Sequence, residues 1–136
     1  MQSELVDEIG GQVMELSEQQ SRWLQDGMDN FNTNRFWHAH EDWEELWKSL
    51  KPNSSQELID GVQGIIQIAA MLLNHQRRKA RGVTNLWTKA SAKLEPVMEG
   101  LFGIDIERLY VDSEPFHRDV ELFSLDASTV RIERQS

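Results

Sequence analysis

Residues 31–50 read FNTNRFWHAHEDWEELWKSL. Within about five helical turns this stretch gathers three of the chain's five tryptophans, two of its four histidines and the carboxylates Glu41, Asp42, Glu44 and Glu45. At about 100° per residue, Phe36, Ala39, Trp43, Leu46, Trp47 and Leu50 share one face, so the spacing predicts a helix from about Arg35 to Leu50 with that face in the core. His40 lies at the edge of this face. Glu44 follows one turn later on the same side, and Glu41 lies beyond it. Trp37 falls on the polar side near both carboxylates, and His38 points away from the core.

Lys51-Pro52-Asn53-Ser54-Ser55 ends this helix, and Ser54 or Ser55 can cap the next one ahead of Glu57. A long helix is expected over about Gln56–Lys79, with Leu58, Val62, Ile65, Ile66, Ala69, Leu72 and Leu73 as a broad apolar face. Beside that face runs a stripe of Gln63, Gln67, Ala70 and Asn74. A stripe facing water would normally carry Glu and Lys. The amides therefore predict a meeting with the His40 and Glu44 edge across an antiparallel helix hairpin. Gly82 permits a turn or a close approach, and Val83, Leu86, Trp87, Ala90, Leu94, Val97, Met98 and Leu101 predict a fourth helix that Pro96 kinks or restarts.

Upstream, Leu5, Ile9, Val13, Leu16, Trp23 and Leu24 predict a first helix over Ser3–Asp26, weakened at Gly10-Gly11. Asp26–Asn34 reads as a turn-rich break in which Asn32 or Asn34 caps the following helix. Downstream, Ile104–Tyr110 is a short helix capped by Asp105, Pro115–Phe123 is another, and Val130–Gln135 is a frayed end of a loosely ordered tail over about 125–136. The expectation is one all-α domain, a small helical bundle of about four main helices around a central antiparallel hairpin.

A chain of 136 residues without cysteine holds no disulfide and no thiolate metal site, and fits the cytoplasm. No apolar run approaches the ~18 residues of a membrane span, and residues 1–21 carry acids where a signal peptide carries bases. The net charge of −9 argues against nucleic-acid and anionic-membrane binding. The charge is uneven, with −9 over residues 1–76, +6 over 77–94 and −6 over 95–136. Arg77, Arg78, Lys79 and Arg81, with Lys89 and Lys93, form this basic island. Cations at a helix C-terminus are explained by the helix dipole alone. The same patch could dock an acidic partner, a phosphorylated small molecule or the acidic surface of a second copy in a homo-oligomer.

His40 and Glu44, four apart, can hold each other or one cation, and Glu41 and Glu44 can present paired oxygens. One reading is a structural polar network in which His40, Glu44, Gln63 and Gln67 satisfy one another inside a non-enzymatic interaction or scaffold module. The alternative is a hydrolase-like enzyme using a divalent metal, with His40 and Glu44 as ligands and Glu41 as general base. Gln63 and Gln67 would complete such a shell only as weak amide ligands. Trp37 and Trp47 flank the cluster, and an indole beside Glu41 would raise the pKa of a general acid. His75 has no carboxylate nearby in sequence and His117 stands in an irregular acidic stretch, so neither is assigned to the site. No nucleophile constellation or phosphate-binding glycine loop is present.

FNTNRFWHAHEDWEELW, DGVQGIIQIAAMLLNH and RRKARGVTNLWTKASAKL together resemble the bacterial and archaeal family named domain of unknown function 309. Phe31, Asn32, Phe36, Ala39, His40, Glu41, Glu44, Trp47, Gln63, Gly64, Gln67, His75, Arg78, Gly82 and Leu94 fill the positions of its pattern, over about residues 31–94. Trp43 stands where the family usually has an aliphatic residue, and Val83 replaces the usual small residue after glycine. The resemblance implies a small helical bundle in which His40, Glu41, Glu44, Gln63 and Gln67 belong to one feature. It implies no activity.

Overall fold

The computed structural model describes residues 15–50, 52 and 54–136. Five α-helices follow in chain order: α1 (Glu18–Asn32), α2 (Phe36–Leu50), α3 (Gln56–Gln76), α4 (Ala80–Leu94) and α5 (Ile106–Ser113). The first four form an all-α bundle in which each packs on its sequence neighbour. Their connections are a few residues long, which makes neighbours antiparallel. Gln20 Nε2 donates to Ser49 Oγ at one end of the α1–α2 pair, and Phe31 meets Phe36 at the other. Likewise Gly61 of α3 faces Val97 and Leu101, Gly64 faces Leu94, and Gly82 faces Asn74.

Ser17 starts α1 with a full capping box: its hydroxyl accepts from Gln20 N while Gln20 Oε1 accepts from Ser17 N. The positions Leu5, Ile9, Val13 and Gly10-Gly11 of the expected first helix lie outside the described residues. The segment expected to be a break is instead the second half of α1, which runs to Asn32 and buries Gly27, Met28 and Phe31. Gly27 is there for space. A Cβ at this position would lie 2.1 Å from Trp43 Nε1, so the buried indole of α2 rests directly on the α1 backbone. Trp43 Nε1 donates to Leu24 O at 3.2 Å, and Phe31 packs 5.9 Å from the indole.

Neither Asn32 nor Asn34 caps α2. Asn34 takes φ +67° as the left-handed residue ending α1, with Arg35 N donating to Asn30 O and Asn34 N to Phe31 O. Ser55 caps α3 as expected, accepting from Leu58 N. α3 stops at Gln76 rather than Lys79, closed by the same motif with Arg78 at φ +56°. Pro96 sits in a 3-10 turn, Glu95–Val97, that ends α4. Asp105 caps α5 by accepting from Arg108 N at 3.0 Å. The helix expected over Pro115–Phe123 is only a 3-10 turn, Glu114–His117, followed by irregular chain.

The expected loose tail is packed. Ala127, Val130 and Ile132 are buried, and Asn32 brackets Ile132 by donating to its O and accepting from its N. Arg134 forms a β-bridge with Ile104, and Gln135 N donates to Gly103 O. The apolar alternation Val130, Ile132 is the signal, and the burial depends on distant chain: Asn32 holds Ile132, Ile104 bridges Arg134, and α3 meets the Ala127–Thr129 turn.

Alanine outranks glycine by about 1 kcal/mol in a helix interior, but its Cβ would force the buried Trp43 ring to shift. Gly27→Ala is expected to lower stability by about 1–3 kcal/mol, the range for overpacked cores, read from the urea midpoint of unfolding. A raised midpoint would show that the indole can move aside.

A polar cleft on the α2–α3 seam as the candidate functional site

Packing Trp43 against α1 fixes the rotation of α2. His40, Trp47 and Glu44 then lie about 40–100° round the helix from Trp43, on the side that meets α3. α3 presents Gln63, Ile66 and Gln67 to them. These six residues line a half-open cleft of about 170 Å³. The stripe of α3 therefore divides along its length: Gln63 and Gln67 face the cleft, while Asn74 packs against Gly82 of α4 and donates to Ala70 O.

His40 is 21% exposed and Glu44, at the mouth, 50%. His40 Nε2 stands 3.9 Å from Glu44 Oε2, within ion-pair reach but too far for a hydrogen bond. The Trp37 indole, 51% exposed, stacks on the His40 ring with centroids 5.1 Å apart and planes 7° from parallel. That lid sets the plane of the imidazole. His40 Nδ1 and Gln67 Oε1 are both buried and have no hydrogen-bond partner. The expected closed network, with imidazole, carboxylate and amide satisfying one another, is thus an open cleft with two unsatisfied polar atoms in its walls. Glu41 is exposed and lies off the cleft, because one residue step turns it about 100° from His40.

Among the described residues, no three His, Cys, Asp or Glu side chains come together as a metal-ligand group. His40 and Glu44 would have to share an ion with the amide oxygens of Gln63 and Gln67. One imidazole, one carboxylate and two amides make a poor donor set for a transition metal.

Arg77, Arg78, Lys79 and Arg81 are exposed at the α3–α4 turn, where the α3 dipole favours positive charge. Arg78 also lies over the Phe123 ring, 5.9 Å from its centroid.

A second polar cluster escaped the sequence reading. His75 is only 3% exposed and its Nε2–H donates to Asp119 Oδ2 at 2.8 Å, between the rings of Phe116 and Phe123. Asp119 also accepts from Leu125 N, Ser124 N and Ser124 Oγ. The Leu125 amide above all, then His75 and Ser124, hold its carboxyl well below the usual carboxylate range. His117 stacks on Trp87 at 5.2 Å and pairs with Glu114 at 3.1 Å. A pair 44 residues apart leaves no local spacing to read. The only hint was a histidine on the flank of an apolar helix, with no visible partner.

Residues 24–86 match the model of the family described as Domain of unknown function (DUF309). No curated protein and no solved structure matches the chain. The matched segment contains every residue of the cleft and the Gly27–Trp43 contact. Asp119 and the packed C-terminal segment lie beyond it.

A depressed carboxyl contributes stability above its unfolded pKa of about 4, and that contribution is lost as pH falls through the folded value. Asp119→Asn is therefore expected to lower the urea midpoint at pH 7, with the gap to the wild type narrowing below about pH 4. A gap independent of pH would mean that Asp119 acts through shape alone.

Proposed function

We propose that this protein is a non-enzymatic interaction module that recognises its ligand through one side-chain-sized polar group seated in the α2–α3 cleft. The observation that carries this reading is the pair of buried, unpartnered atoms, His40 Nδ1 and Gln67 Oε1. A buried polar atom without a partner costs about 1–3 kcal/mol, and a purely structural cluster has no reason to retain two of them beside an open cleft. A bound group that supplies the missing hydrogen bonds recovers that cost.

The size supports recognition of a single group. A cleft of about 170 Å³ lies below the range of about 300–1,000 Å³ that drug-sized ligands occupy. Among the described residues no Ser, Thr, Cys or Lys lines it, and the general-base candidate Glu41 lies outside.

If Gln67 serves recognition, its amide weakens the free protein. Gln67→Met, which keeps the length and removes the polar atoms, is expected to raise stability by about 1 kcal/mol, measured by thermal and urea unfolding. A loss of 1–3 kcal/mol, the size of a broken buried hydrogen bond, would return Gln67 to a structural role and refute this reading.

A further inference from the structure

The acceptor character of the cleft points to one class of ligand, and the inference rests on the recognition role proposed for the site. Gln67 Oε1 is a buried acceptor with no partner. Glu44 places a carboxylate at the mouth. With its proton on Nε2, the ring nitrogen that faces the Glu44 carboxylate, His40 leaves the buried Nδ1 as a lone-pair acceptor. Trp47 supplies an aromatic wall and Ile66 an apolar one, and among the described residues no lysine or arginine lines the cleft.

We infer that the cleft between α2 and α3 binds a guanidinium group. A guanidinium is planar and rich in N–H donors, so one group can serve Gln67 Oε1, His40 Nδ1 and the Glu44 carboxylate together. It also stacks on indole faces and gives up its hydration more readily than an ammonium. An ammonium is a compact point charge and matches three spread acceptors less well. An anion meets the Glu44 carboxylate and brings no donor to the two unpartnered acceptors. A neutral amide offers fewer N–H donors and no positive charge to the Glu44 carboxylate. The same chemistry is carried by a free guanidino compound and by an arginine side chain of a protein partner.

The test is an NMR titration of the ¹⁵N-labelled full chain with ethylguanidinium chloride, beside neutral propylurea and sodium acetate. Ethylguanidinium alone should give saturable shifts of the Trp47 indole N–H and of the Gln63 and Gln67 side-chain amides. Glu44→Gln should weaken it about tenfold, the loss of one charge-assisted contact. Gln67→Met should abolish it, and Glu107→Gln, the same charge change on α5, should leave it unaltered. Saturation by propylurea or acetate as tight as by ethylguanidinium overturns the guanidinium assignment while sparing the cleft as a recognition site. No saturable response to any of the three overturns both. Agmatine and acetyl-Gly-Arg-Gly-amide, titrated in parallel, separate the sources: tighter binding of the first assigns a free small molecule, and of the second an arginine in a protein.

Discussion

The seating of the Trp43 indole on the bare backbone of α1 at Gly27 is the constraint on which the rest of this bundle depends. A tryptophan can be buried in a small protein only if a flat surface is cleared for it and its N–H finds an acceptor. Gly27 clears the surface, and Leu24 O accepts the proton. The contact brings α2 close to α1 and locks its rotation, since any turn of α2 would lift the ring or strand its N–H. Once that rotation is set, His40, Glu44 and Trp47 must look towards α3.

The cleft follows from the same geometry. α2 is committed to α1 through Trp43 and to the shared core through Phe36, Ala39, Leu46 and Leu50, and at one edge of that packing His40, Glu44 and Trp47 face Gln63, Ile66 and Gln67 of α3. That edge does not close. Packing rarely tolerates a buried lone pair without a partner, yet two survive here within one small opening. The apolar core below is large and continuous, and it carries the loss. Such local disagreement between stability and side-chain choice is expected where binding, and not folding, selects the residue.

The other side of α3 is held by different means. His75 and Asp119 join the helix to the irregular segment after α5, and the positive-φ residues Arg78 and Phe123 bring their side chains together above that pair. Non-glycine residues in this conformation are strained, and the surrounding contacts keep them there. Asn32, at the end of α1, fastens the last buried residues through Ile132. The bundle is thereby closed by side-chain hydrogen bonds to irregular chain at two separate points.

Much of this was legible in the sequence. The apolar repeat of residues 36–50, the amide stripe at Gln63 and Gln67, the Ser55 and Asp105 caps and the close approach at Gly82 all depend on residues near one another in the chain. Local periodicity and capping chemistry therefore determine them. Asp26–Asn34 misled because Gly, Asp and Asn favour turns on their own; the need for Gly27 arises only when Trp43, 16 positions away, lies on it. The tail misled for the same reason, since Val130 and Ile132 gain their burial from a groove made by distant residues. Whether His40 and Gln67 would satisfy each other or stay unpaired, and whether His75 would find Asp119, depended on distances between separate helices and loops. Those distances are set by how tightly the apolar faces pack, which no one-dimensional pattern contains.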